Sequence, residues 1–167
     1  IGSAYQNIGD YVNAKNYVKS GLKIESNNIA LMNNLAMSYK NLLLYADAEE
    51  LYSKIIKLNN KYINAYVNFG NLKRDLNEFD NSIKLYEEAL KLSNANPILY
   101  YSLALANQGL GNFEKTVFYS KKALEIDQKF TRADHLISQS IKYDSKNDHY
   151  LNLKEKIKKI DSKSFEK

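Results

Sequence analysis

Apolar residues recur three and four positions apart along most of the chain, the spacing that gathers them on one face of a helix. Leu31, Leu35, Tyr39 and Leu42 form one such stripe, and Leu51, Tyr52, Ile55, Ile56 and Leu58 form the next. Short breaks part the stripes, as at Ile8-Gly9-Asp10 and Leu110-Gly111-Asn112-Phe113. The pattern predicts helices near 1–8, 11–25, 29–42, 45–58, 63–76, 79–92, 97–110, 113–126, 131–143 and 147–161, and no strand. Pro97 stands where a helix is about to begin, a place that tolerates it because the first-turn N–H is unpaired anyway.

The stripes themselves repeat. Gly2, Ala36, Gly70, Ala104 and Ser138 keep a constant step of 34 residues, as do Ile1, Leu35, Phe69, Leu103 and Ile137. The columns Tyr11/Tyr45/Phe79/Phe113, Ala14/Ala48/Ser82/Thr116 and Gly21/Ile55/Ala89/Ala123 hold the same register. So do Leu22/Ile56/Leu90/Leu124 and Ile24/Leu58/Leu92/Ile126. Each unit is thus a pair of antiparallel helices. A lone pair cannot bury its apolar face, so neighbouring pairs stack into one continuous core. Columns of small residues mark places where helices cross too closely for larger side chains.

A 34-residue helix-turn-helix unit with these columns resembles the tetratricopeptide repeat, TPR. The matching stretches are IGSAYQNIGDYVNAKNYVKSGLKIESNN, MNNLAMSYKNLLLYADAEELYSKIIKLNN, YVNFGNLKRDLNEFDNSIKLYEEALKLSN and YYSLALANQGLGNFEKTVFYSKKALEID. The resemblance covers roughly 1–130, as a partial unit at 1–28 and whole units at 29–62, 63–96 and 97–130. It implies an all-α fold, a right-handed superhelical stack of antiparallel helix pairs. Because the chain opens inside the first helix of a unit, it is expected to be a fragment of a longer protein. The cut end, from Ile1 to Tyr17 and Val18, is expected to be uncovered and to invite self-association.

Some places depart from the pattern. Leu43-Leu44 occupies a turn where other units have Gly-Asp, Asn-Glu or Gly-Asn, and Lys73 and Asn107 replace the aromatics Tyr5 and Tyr39. Residues 131–161 read as a degenerate terminal pair, with Leu136, Ile137 and Ile141 inward on its first helix. After a polar break at Asp144–Asn147, Tyr150, Leu151, Leu153, Ile157 and Ile160 are expected inward on its second. Residues 162–167 are expected to fray.

Composition narrows the picture further. One Pro and six Gly are too few for an all-β chain, and 14 Tyr supply much of the apolar content. The absence of Cys removes disulfides, thiolate zinc sites and cysteine nucleophiles. No apolar run approaches membrane-spanning length, so no membrane insertion is expected and the location is read as cytoplasmic. The net charge of +5 is concentrated late: residues 121–167 carry 12 basic and 8 acidic side chains, against 12 and 11 before them. Nearly all the basic residues are Lys, accompanied by Asn, Ile and Tyr, which share AT-rich codons. Nucleic-acid binders show an Arg-bearing stripe instead.

Candidate chemistry is sparse. The histidines are His135 and His149, and no metal, phosphate-loop or nucleophile motif is present. Glu49-Glu50 and Glu87-Glu88 are sequence neighbours on helices, which point about 100° apart and do not converge as an acid/base couple. No enzyme activity and no cofactor are expected in this fragment. Base-per-repeat RNA binding needs recurrent reading residues, and the inward column Asn33, Val67, Tyr101, His135 is not a code. No nucleic-acid partner is expected.

What remains is a polypeptide partner. The resemblance implies that first helices line a concave groove for an extended peptide or helix. That groove would comprise Asn33, Asn34, Met37, Lys40, Asn41, Asn64, Asn68, Asn71, Arg74, Tyr101, Leu105, Gln108, Arg132, His135 and Gln139. Amides donate to and accept from a peptide backbone whatever its sequence. Asn34 and Asn68, one repeat apart, resemble the asparagine ladder of glycosyltransferase-type TPR superhelices. The chaperone-tail clamp of other TPR proteins is not matched, since its places hold Asn33, Met37, Asn68, Ile98 and Ser102. Shifted by one unit they hold Val67, Asn71, Ser102, Arg132 and Leu136, again without the charges. KFTRADHLISQSIKYDSKNDHYLNLKEKI resembles the segment following TPR units in bacterial TPR-sulfotransferases and TPR-glycosyltransferases. An alternative reading therefore makes this fragment the substrate-recognition arm of a larger transferase.

Overall fold

A computed structural model describes residues 1–141 and 148–164. Among the described residues it holds ten helices and no strand. They are α1 (Gly2–Asn7), α2 (Tyr11–Ile24), α3 (Ile29–Asn41), α4 (Tyr45–Leu58), α5 (Ile63–Asp75), α6 (Phe79–Leu92), α7 (Pro97–Gly109), α8 (Phe113–Ile126), α9 (Thr131–Ser140) and α10 (Asp148–Ser164). The starts of α2 to α9 fall at the expected residues. Most first helices of a pair end one residue sooner than the periodicity suggests, because the closing turn takes that residue. The polar break 144–147 and residues 165–167 lie outside the described residues.

The turns explain those endings. Gly9, Leu43, Asn77 and Gly111 all adopt positive φ, at 79°, 61°, 60° and 72°. The next residue's N–H then reaches back to a carbonyl five residues earlier, Asp10 to Tyr5, Leu44 to Tyr39, Glu78 to Lys73 and Asn112 to Asn107, at 2.8–2.9 Å. This is a Schellman closure, which needs a left-handed residue and favours Gly or Asn there. Leu43 meets the same demand with a side chain that is 69% exposed. At helix starts Asp10, Asn28, Asn96 and Asn112 each accept a first-turn N–H.

The chain divides into two compact units, Ile1–Asn94 and Ala95–Lys167. In the first, Met32, Ala36, Ala48, Tyr52, Ile55, Ala65 and Leu72 form the core. The small-residue column does what its spacing predicts. A Cβ on Gly70 would lie 2.5 Å from Tyr86 Cε1, and one on Gly2 would lie 2.6 Å from Val18 Cγ2. That contact corrects the expectation that Val18 is uncovered: it is buried under α1, while Tyr17 stays partly exposed and stacks on Tyr5 at 5.2 Å. In the second unit Leu99, Leu103, Ala123, Leu136 and Ile137 are buried.

The terminal pair differs from expectation in which face is inward. Tyr150, Leu151 and Ile157, expected inside, are exposed, and the buried residue of α10's first turn is His149. The reason is polar. Lys156 Nζ reaches Asp134 Oδ2 at 2.6 Å, and His149 Nε2 lies 3.2 Å from the Asp134 carbonyl. A carbonyl only accepts, so His149 Nε2 is the donor in this contact. These bonds orient α10 so that His149 and Lys156 meet α9.

Candidate functional site

In the first unit the sequence's candidate groove residues lie on the first helices α3 and α5. Helical spacing brings Asn33, Met37, Lys40 and Asn41 to one side of α3, and Asn64, Asn68, Asn71 and Arg74 to one side of α5. Asn41 and Asn64 are exposed, while Asn34, Met37, Lys40, Asn68, Asn71 and Arg74 are half-buried. Asn33 departs from the expectation of a groove-lining residue. It is only 5% exposed, because its Oδ1 accepts from Asn68 Nδ2 at 3.0 Å and draws it between the helices.

The amides therefore hold the helices together as well as facing outward. Asn34 Nδ2 donates to Ser3 Oγ at 3.2 Å, and Gln6 Nε2 donates to the Asn34 carbonyl at 2.6 Å and to Ser38 Oγ at 3.0 Å. Asn41 Nδ2 donates to the Met37 carbonyl, and Asn71 Oδ1 accepts from Tyr86 Oη at 2.8 Å. In Asn34 and Asn68 the donors are engaged inside the protein. Their Oδ1 atoms have no partner among the described residues. Each is an oriented acceptor, one repeat from the other.

Charge on this face is paired. Lys40 Nζ lies 2.6 Å from Asp75 Oδ2, and Arg74 Nη2 lies 3.6 Å from Asp75 Oδ1. Asp75 escaped the sequence reading, since only its ion pair with the preceding repeat reveals it. On the other side of α5, Lys73 bridges Glu49 of α4 at 2.7 Å and Glu78 before α6 at 3.0 Å, with Phe69 under its ammonium. Burial pulls the Lys73 pKa down, but the bonds to Glu49 and Glu78 outweigh it and the net shift is upward. Glu78 is held below the usual carboxylate range by Asn81 and then by Lys73.

In the second unit Tyr101, Leu105 and Gln108 lie half-buried on α7, and Tyr101 packs edge-on against Phe130. Arg132, His135 and Gln139 are exposed on α9, with His135 Nε2 and Gln139 Nε2 3.1 Å apart. An open cleft of about 620 Å³ lies among α8, α9 and α10, lined by Leu124, Ile137, Asp134, His149 and Lys156 among others. No cluster of His, Asp and Glu with metal-binding geometry occurs among the described residues. Nor is any helix among them long and apolar enough to cross a membrane.

Comparison with known proteins decides the family. Models of the tetratricopeptide repeat match residues 1–28 and 98–130, and a TPR-repeat model matches 70–111. The chain is a tetratricopeptide-repeat protein. No curated protein sequence matches it. Its fold is similar to the crystal structure of MamA, with 26% identity over 84% of this chain and 82% of that one and a TM-score of 0.73. It is similar also to TTC0263, a TPR protein of Thermus thermophilus, at 16% identity, 83% and 77% coverage and TM-score 0.74. A chain of the APC/C hetero-tetramer Cut9–Hcn1 matches at 19% identity and TM-score 0.77, covering 84% of this chain and 29% of that one. These relatives share the TPR solenoid, a fold that serves as a protein-interaction scaffold.

Proposed function

We propose that this TPR chain binds an extended polypeptide on the first-helix face of its Ile1–Asn94 unit, chiefly through backbone contacts. The observation that supports this is the pair of oriented amide oxygens, Asn34 Oδ1 and Asn68 Oδ1, on successive first helices. Each can accept a peptide N–H, and neither bond depends on the ligand's side chains. Binding of this kind is broad and weak, with each amide bond contributing on the order of 1 kcal/mol.

The test is titration of an extended-peptide library against wild type and Asn34→Ala/Asn68→Ala. Affinity should fall roughly tenfold. The double variant also loses the bond to buried Asn33, so a lower melting temperature is expected and circular dichroism must confirm folding at the titration temperature. Equal affinities with both proteins folded mean that the ligand uses another surface. The exposed, paired-copy reading of the α1–α2 end rests on Ile1, Ile8 and Tyr17, and sedimentation at increasing concentration tests it.

A further inference from the structure

Lys40 and Arg74 share one column of the repeat, with Gln6 before them and Gln108 after. They are the two cations of the first unit's proposed ligand face, and both already meet a carboxylate. Asp75 Oδ2 sits 2.6 Å from Lys40 Nζ, and its Oδ1 sits 3.6 Å from Arg74 Nη2. We propose that Asp75 is an internal stand-in for a ligand carboxylate, and that the segment this face selects is acidic and displaces it. This rests on the reading of the α3–α5 face as the peptide site.

Three observations carry the proposal. First, the fold does not require an acid here. The equivalent residues in the flanking repeats are Asn41 and Gly109, and Asn41 satisfies itself on the Met37 carbonyl of its own helix. Second, Asp75 ends α5, where the helix dipole is negative and disfavours a carboxylate. The cations hold it there, against the local field. Third, the arrangement is unsaturated. At 3.6 Å the Arg74 contact is longer than a hydrogen bond, so the planar fork keeps donors for a second carboxylate. The neighbouring cation is not so placed: Lys73, next in sequence, is taken up by Glu49 and Glu78.

Asp75 thus acts as a competitor tethered at the site. A neutral extended peptide leaves it seated and binds through the amides alone. An acidic peptide gains Arg74 and Lys40 only by moving it aside, which lowers apparent affinity while keeping selectivity for ligands that make more contacts than a single carboxylate can.

The experiment uses fluorescence anisotropy with two labelled ten-residue peptides, one alternating Gly and Glu and the other alternating Gly and Gln. Each is titrated against wild type, Asp75→Asn and Lys40→Met/Asp75→Asn, with circular dichroism confirming the fold. At low salt Asp75→Asn should bind the Glu peptide about tenfold tighter than wild type, and the gain should shrink steeply at half-molar salt. The Gln peptide should bind wild type and Asp75→Asn equally. Lys40→Met/Asp75→Asn should lose most of the gain. If the Gln peptide binds but Asp75→Asn brings no gain for the Glu peptide, the gate is refuted and the groove stands. A gain that survives loss of Lys40 also refutes the gate, because the double variant has the wild-type net charge and lacks the cation that Asp75 occupies. If neither peptide binds any of the proteins, the groove reading fails and this inference falls with it.

Discussion

Two tyrosines in equivalent places of successive repeats should respond oppositely to the same substitution. Tyr52 and Tyr86 are both fully buried on second helices, 34 residues apart. The Tyr86 hydroxyl donates to Asn71 Oδ1 at 2.8 Å. The Tyr52 hydroxyl finds no partner among the described residues, because Met37 stands where Asn71 stands in the next repeat. A buried hydroxyl without a partner forfeits about 1–3 kcal/mol of hydration, whereas a made bond contributes about 1 kcal/mol net. Tyr52→Phe removes an orphaned group and should stabilise the protein by about 1 kcal/mol. Tyr86→Phe orphans Asn71 Oδ1 and should cost a similar amount. Urea unfolding followed by circular dichroism measures both, as shifts in midpoint at constant slope. A second signature lies at high pH. Burial raises the Tyr52 phenol above its ordinary 10.0. The unfolded chain therefore sheds that proton first. Stability from this group is complete below pH 10 and falls as pH rises beyond it, and Tyr52→Phe should flatten that fall. Equal destabilisation by the two substitutions would mean that ring packing decides both and the hydroxyl geometry neither.

Three further outcomes follow from the turns, crossings and ion pairs. Leu43→Gly should raise stability by about 1 kcal/mol, since the left-handed turn at φ 61° penalises a branched side chain that is mostly in water; an unchanged urea midpoint would show that contacts of the Leu43 side chain offset the strain. Gly70→Ala should cost about 1–3 kcal/mol, because its Cβ meets the immobile Tyr86 ring at 2.5 Å, and thermal melting reads this directly. Glu78, with its pKa depressed by Asn81 and Lys73, contributes stability that is present above pH 4.5 and lost as pH falls through its lowered value. Lys73→Met should weaken that acid dependence, which an acid titration of the urea midpoint would show.

The repeat architecture was legible because its physical cause is periodic. Close helix crossings demand small residues every 34 positions, and Schellman turns demand a left-handed residue at the same step. Features that join one element to another by a single side chain left no such trace. Lys73 looked like a missing aromatic, and its partners Glu49 and Glu78 lie on two other elements. Asn33 shared the register of a groove residue, yet its hydrogen bond from Asn68 pulls it inward. Asp75 carried no column signal at all. At α10 the apolar spacing of Tyr150, Leu151 and Ile157 misled, because a polar clasp to Asp134 and not an apolar stripe orients the helix.

In the proposed mode, ligand binds the first-helix face of the Ile1–Asn94 unit through its amides. Nitrogen-15 correlation spectra of the labelled chain, recorded while the Gly/Gln peptide is added, report on that face residue by residue. The largest shifts should fall on α3 and α5 and on the side-chain NH₂ pairs of Asn34, Asn64 and Asn68, and in Asn34→Ala/Asn68→Ala the backbone shifts should need roughly tenfold more peptide. Shifts concentrated on the second helices α2, α4 and α6, with those NH₂ pairs unmoved, would place the ligand on the opposite face and overturn the proposed mode.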